Sequence, residues 1–354
     1  MKIRIFLVIF SCFVSILIGL FISKGKIGNK NIHLENNVDK NKQILIGFSM
    51  DTLKESRWQN DRKFFIEKAK ELNANVLVQA ANSDDTKQIQ DIEALISRKV
   101  DVLVIVPHNG KAMAKAVKLA HKANIPVIAY DRLISDCNLD LYITFDGFKV
   151  GQLQAQYIID TLLPKKEKAK IIRIYGSKMD HNAFLFKEGQ DDILSDYIKQ
   201  GKVEIMHEDW ADEWKAENAK KIVNAAITKY GNEFDAILAS NDGTATGAIQ
   251  ALIEENLIGK VIVTGQDAEL IACQRIATNM QSMTIYKPIK DLASKAVEFA
   301  IKMAKKEIIV VNNSVSNGEK NVPSVLLDVT VVTKDNLKET VIKDGFHKSE
   351  DIYK

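Results

Sequence analysis

The chain has 354 residues, 46% hydrophobic and 27% charged, the composition of an ordinary globular protein with one large or two medium domains. A net charge of +3, with no dense Lys/Arg patch interleaved with aromatics, argues against a nucleic-acid partner. The three cysteines, Cys12, Cys137 and Cys273, lack metal-ligand spacing. Cys12 sits in an apolar run, so Cys137 and Cys273 are either free thiols or one pair, and the redox compartment is not readable from them.

In chain order, Met1-Lys2-Ile3-Arg4 precedes eighteen residues without a charge, Ile5 to Ile22. That is long for a signal-peptide core and just long enough to span a bilayer, so residues 1–22 are expected to form a signal or anchor helix. The first Ala is Ala69, which excludes an Ala-type cleavage site, while Ser23-Lys24-Gly25 offers a poor one. Cys12 lies too deep in the run for a lipoprotein box. An uncleaved anchor is the first reading and a cleaved signal the second. Lysines on both flanks leave the orientation open. Residues 23–43, rich in Asn and Lys, read as a flexible tether. Either way the bulk of the chain is expected outside the cytoplasm.

From Ile44 onward, short β-branched runs alternate with amphipathic helical stretches. The runs are ILIGFSM (44–50), NVLVQA (75–80), DVLVIVP (101–107), PVIAY (126–130) and LYITF (141–145), then KIIRIYG (170–176), KVEIM (202–206), DAILAS (235–240), KVIVTG (260–265) and MTIY (283–286). Residues 85–99, 111–124 and 291–305 carry apolar residues at helical spacing. Continuous apolar strands alternating with helices imply parallel sheets covered on both faces. Ten strands exceed a comfortable single sheet and the pattern restarts after Gly147, so the expectation is an α/β protein with two doubly wound parallel-sheet lobes.

Polar residues fall immediately after the strand runs, where open α/β sheets bind ligands. ILIGFSM leads to Asp51 and on to Arg57-Trp58, PVIAY to Asp131-Arg132, and KIIRIYG to Asp180-His181-Asn182. DAILAS leads to Asn241-Asp242, KVIVTG to Gln266-Asp267, and MTIY to Lys287-Pro288. Helix capping explains Asp or Asn at any one of these ends, as at Asp146, Asp242 or Asp85. It does not explain Arg and Lys. Trp58 admits two readings of its own: packing on a helix face with Phe65 and Leu72, or a ligand contact.

No phosphate loop, G-x-G-x-x-G or G-x-S-x-G occurs, and the six histidines are scattered. Asp131 and Asp267 could serve as an acid/base pair, but nothing places a nucleophile beside them. An enzyme is therefore not expected, nor a cofactor or metal. The strand ends do suit a neutral polyhydroxyl ligand. Arg57 and Arg132 bring planar donor forks, Asp131, Asp180 and Asp267 accept from paired hydroxyls, and Asn182 and Asn241 do both. Trp58 suits the flat C–H face of a sugar ring. EDWADEWKAENA (208–219) offers Trp210 or Trp214 for the other face.

RWQNDR, VDVLVIVPHNG, AYDRLI, ITFDGFKVGQLQAQ, ASNDGTATGAIQAL, VTGQDAEL, TIYKPI, VPSVLL and VIKDGFHK resemble the type I periplasmic sugar-binding protein family, particularly its D-xylose branch. The resemblance runs from Ile44 to the C-terminus. It implies two lobes joined by a three-crossing hinge near Gly147, near Tyr286 and near residues 311–319, with sugar in the cleft. The first lobe would be 44–147 plus 286–312, and the second 148–285 plus 313–346. The implied sugar contacts are Arg57, Trp58, Asp131, Arg132, Asp180, Asn182, Trp214 rather than Trp210, Asn241, Asp267 and Lys287. His181 stands where the branch usually has Asn, and His108 where Tyr is frequent. The missing cleavage site and lipobox separate two roles. A membrane-anchored xylose sensor signalling to a histidine kinase is the first reading, and the binding component of a xylose ABC importer, docking on a permease, the alternative. A second copy of the chain is a further candidate partner.

Overall fold

The computed structural model describes residues 43–354 apart from residue 312. The expected anchor helix, and all of the expected tether except Gln43, lie outside the described residues. Among the described residues no helix is long and apolar enough to cross a membrane.

The chain runs β1 (Leu45–Met50), α1 (Ser56–Glu71), β2 (Asn75–Ala80), α2 (Asp85–Ser97), β3 (Val102–Ile105), α3 (Ala114–Lys122), β4 (Val127–Tyr130), β5 (Leu141–Phe145) and α4 (Gly147–Leu162). Next come β6 (Ala169–Tyr175), α5 (His181–Lys199), β7 (Val203–Trp210), a 3-10 turn (Asp212–Trp214), α6 (Ala216–Tyr230), β8 (Ala236–Ala239), α7 (Asp242–Glu254), β9 (Ile262–Val263) and α8 (Leu270–Ala277). The last part is β10 (Thr284–Tyr286), α9 (Ile289–Ala304), β11 (Asn313–Ser316), β12 (Asn321–Leu327), β13 (Thr330–Val332), a π turn (Lys338–Ile342) and α10 (Ser349–Ile352).

Among the described residues two mainly parallel sheets organise most of these elements, and β10 and β13 pair in a third, two-stranded antiparallel sheet. The first has seven strands in the order β11-β12-β5-β4-β3-β1-β2, all parallel except the edge strand β11. The second is a parallel four-stranded sheet, β7-β6-β8-β9. Successive strand residues point to opposite faces. Val102 and Val104 therefore join α1 and α9 in one core, while Leu103 and Ile105 join α2 and α3 in another. Likewise Ile172 and Ile174 pack with α6 and α7, and Ile171 with α4 and α5. Burial on both faces is what makes such strands apolar throughout.

The chain passes between lobes after β5 at Asp146 and after β10 at Lys287-Pro288. The third crossing corrects the expectation. Residues 313–327 form the hairpin β11–β12, and β12 pairs in parallel with β5 from Ser324↔Tyr142 to Leu327↔Phe145. They belong to the first lobe, and the crossing falls at Asp328-Val329, before β13 pairs with β10. Pro323 hides this strand. It donates no backbone hydrogen bond and usually marks the end of a ladder, yet here it pairs with Ser314 of the edge strand β11.

In the second lobe α4 and α5 touch backbone to backbone. A Cβ on Gly151 would lie 2.0 Å from the carbonyl oxygen of Phe186, and one on Gly189 2.0 Å from that of Phe148. Cys137 and Cys273 are buried free thiols, one in each lobe.

Candidate functional site

The carboxyl ends of the two sheets face each other across a cleft enclosing about 90 Å³. One water needs roughly 10–15 Å³ on this measure, so the space suits one small ring rather than a chain of them. All ten residues singled out from the sequence line this cleft. Arg57 and Trp58 come from the first turn of α1, and Asp131 and Arg132 follow β4. From the second lobe, Asp180 and Asn182 start α5, Trp214 follows β7, Asn241 precedes α7, and Asp267 follows β9. Lys287 stands at the second crossing.

Arg57 is the centre of the first-lobe half. Its Nη2 donates to Asp131, its Nε to Asp61 at 3.3 Å, and its Nη1 to Asp267 of the second lobe at 3.5 Å. Burial works against its charge, but Asp131, Asp61 and Asp267 overcome this and raise its pKa. Asp61 is fully buried and takes a second hydrogen bond, from the Tyr130 hydroxyl. Burial pushes Asp61 up to about 6, against the pull of Arg57. Asp131 is buried too, yet Arg57 and Lys287 hold it below the usual carboxylate range.

A second chain of charges begins at His108, after β3. His108 Nδ1 lies 2.9 Å from Asp51, Arg132 Nη1 lies 2.7 Å from Asp51, and Arg132 Nε lies 3.0 Å from Asp180 across the cleft. The Asp51 hydrogen bond raises the His108 pKa despite partial burial. Burial raises Asp180, opposed by Arg132. Lys287 closes the set at 2.7 Å from Asp267.

The second lobe holds its residues through backbone hydrogen bonds. Asp180 caps α5, accepting from the Asn182 amide at 2.9 Å. Asn241 caps α7 by a reciprocal box with Thr244, accepting at 2.8 Å. Its oxygen is engaged there, so its NH2 is what it offers a ligand. Capping and cleft contact, opposed readings at the sequence level, are here the same residues. The Asn182 NH2 donates to the Asp131 carbonyl at 3.0 Å, stitching the lobes together. Several site residues have left-handed backbones: Asp131 (φ 63), Glu213 (φ 56), Trp214 (φ 58) and Asp267 (φ 95). For bulky side chains that conformation is costly and concentrates at functional sites.

The tryptophans differ. Trp58 is 5% exposed and belongs to the first-lobe core, yet it also forms cleft wall. The guanidinium carbons of Arg57 and Arg132 lie 4.4 and 5.2 Å from its ring centre. Trp58 is therefore core and cleft wall at once. Trp214 is half-buried and meets Phe186 edge-on at 6.2 Å. Trp210 instead packs between Tyr175 and Phe184, away from the cleft lining.

Asp51 and Gln266, named at strand ends but not among the implied contacts, also line the cleft, as do His108, Phe186, Glu213 and Glu269. His108 likewise follows a strand. Phe186 lies one helical turn beyond Asn182, and Glu213 adjoins Trp214. Glu269 carries no sequence signal. Burial, with Asp267 nearby, raises it to about 7.

Among the described residues seven acids line the cleft (Asp51, Glu55, Asp131, Asp180, Glu213, Asp267, Glu269) against the three fixed cations Arg57, Arg132 and Lys287. Each of these cations already has a carboxylate partner. An anionic ligand would meet net repulsion, whereas a neutral polyol finds acceptors and donors together.

Two parallel α/β lobes, a three-crossing hinge and a polar cleft walled by aromatic rings define a hinged receptor for a small solute. Residues 46–308 match the model of the periplasmic binding protein domain, and the chain belongs to the periplasmic binding protein family. It is 48% identical to a D-xylose-binding periplasmic protein of Haemophilus influenzae over 312 residues, 88% of this chain and 93% of that one. It is 45% identical to a D-xylose-binding periplasmic protein of Escherichia coli over 311 residues, again 88% and 93%. Among solved structures, an ABC transporter solute binding protein from Clostridium phytofermentans with bound β-D-glucose superposes with a TM-score of 0.81. Its identity is 31%, covering 87% of this chain and 99% of that one.

Proposed function

We propose that this chain is an extracytoplasmic receptor that binds D-xylose reversibly, without turning it over, and delivers it to the permease of an ABC importer. The observation that carries the reading is the cleft: about 90 Å³, lined by two tryptophans from opposite lobes, with every fixed cation already matched by a carboxylate. The two D-xylose-binding relatives support the choice of pentose, and the structurally similar ABC transporter solute binding protein favours import over sensing. Arg57, Trp58, Asp131 and Arg132 would contact the sugar from one side. Asp180, Asn182, Trp214, Asn241 and Asp267 would contact it from the other, with Lys287 at the hinge. A sugar touching both sets gains contacts in the closed form and shifts the population toward it.

Calorimetry with D-xylose, ribose, arabinose and glucose tests this, followed by chromatography of the recovered sugar. Heat with D-xylose and an unchanged sugar are expected. No heat with any pentose, or an altered product, overturns the proposal. A sensor role draws on one observation, the uncharged run Ile5–Ile22. Replacing residues 1–43 by a cleavable signal separates the roles. An importer subunit retains xylose uptake with its permease. A sensor loses xylose-dependent transcription, because the anchor supplies the partner's effective concentration.

A further inference from the structure

Gly176 directly follows β6, and its φ is not in the left-handed range, so its own backbone does not call for glycine. What the position uses is the missing side chain. A Cβ there would lie 2.0 Å from Trp214 Cη2, 2.2 Å from Cζ2 and 2.3 Å from Cζ3. The far edge of the indole rests on bare main chain.

A second observation shows what aims the ring at this floor. Glu213 and Trp214 are consecutive non-glycine residues at φ 56 and 58. The turn is closed by the Trp214 amide donating to the Ala211 carbonyl at 3.0 Å and the Lys215 amide to the Asp212 carbonyl at 3.2 Å. This turn throws the indole inward, against Phe186 on one side and Gly176 beneath. The indole Nε1 is buried with no hydrogen-bond partner among the described residues.

We infer that Gly176 is a positioning residue for the ligand site: its bare Cα is the floor that sets the height of the Trp214 ring in the cleft. The inference rests on the sugar-binding reading and deepens it. A methyl at 176 meets the tip of a side chain rather than backbone, so the fold can yield by swinging the ring. The cost then falls on the ligand rather than on folding.

The test uses Gly176→Ala, Trp214→Phe and the double variant in the full chain. Phenylalanine lacks the three ring atoms that a Cβ would strike. Gly176→Ala alone is expected to weaken D-xylose affinity about tenfold or more, the penalty of overpacking. Its sugar-free melting temperature should hold. In the Trp214→Phe background the same substitution should change affinity by less than about twofold. Near-UV circular dichroism of the sugar-free protein should shift with Gly176→Ala, and not in the Trp214→Phe background. Equal losses in both backgrounds, no loss with Trp214 present, or an unshifted indole band overturns the inference. If Gly176→Ala fails to fold, the double variant decides: the inference requires it to fold, and an unfolded double variant overturns it. If the wild type binds no pentose, the sugar-binding reading falls, and the dichroism still decides whether Gly176 sets the ring.

Discussion

The two lobes present similar side chains to the cleft but hold them differently. In the first, Arg57, Asp131 and Trp58 are continuous with the core: Arg57 is tied to Asp61, Asp61 to Tyr130, and Trp58 packs in the cluster that contains Phe65. In the second, Asp180 and Asn241 are helix caps and Trp214 sits on a strained turn, each held by local backbone bonds. One half of the site is part of the core, and the other is mounted on element ends. Damage to the first half should therefore show in stability, and damage to the second in affinity.

The largest expected break is Trp58→Ala. Removing a buried indole should cost about 3–5 kcal/mol of stability and weaken the ligand as well. Thermal or denaturant unfolding of the sugar-free protein checks it, and an unchanged melting temperature would show that Trp58 is only a wall. Trp214→Ala should do the reverse, losing about 1.5–3 kcal/mol of sugar affinity, or roughly 10- to 150-fold, while the sugar-free protein melts as before. Trp210→Ala, lying off the cleft, should leave affinity nearly intact. Below these, Asn241→Ala removes the cap of α7 and should cost about 1 kcal/mol of stability. Here the second lobe does pay in folding, and Asn241→Asp, which keeps a capping oxygen, should restore most of it.

The last expected effect is in pH dependence, and it sharpens the comparison because each lobe carries a raised acid that can be followed, Asp61 in the first and, in the second, Glu269 alongside the raised Asp180 and Asp242. Asp61 is raised to about 6 and Glu269 to about 7. An acid whose folded pKa exceeds its unfolded value binds more protons when folded, so stability falls as pH rises between the two values. For Asp61 that window is from 3.8 to about 6, and for Glu269 from 4.5 to about 7. Subtracting the stability–pH curve of Glu269→Gln from that of the wild type should leave a decline confined to the Glu269 window. A flat difference would mean that Glu269 titrates normally.

The lobes also differ in how far they could be read from sequence. The first-lobe strands 102–105 and 127–130 are apolar throughout because both faces are covered, and such runs stand out. Strand β12 did not stand out, since Pro323 and the polar Asn321 and Ser324 break its pattern. The third crossing was misplaced as a result. Site residues were legible where chemistry and position coincide, as at Asp131-Arg132 or Lys287, because a buried cation after a strand has few structural explanations. Glu269 and Phe186 were not legible. One enters the cleft through a turn after Asp267, and the other lies within α5, where an aromatic ordinarily means core.

The glycine contact between α4 and α5 bears on how fast this receptor can respond. Helix α4 starts at the first crossing, and α5 starts with the residues that cap it and reach Asp131, so hinge and contact sit at the ends of two touching rods. With carbonyl oxygens seated where Gly151 and Gly189 have no side chains, the rods have no room to slide or shear. A torsion at residues 146–147 would then carry α4 and α5 as one body. On the proposed receptor reading, opening would require no repacking inside the second lobe, and rotation of the three short crossings would set the rate of ligand release.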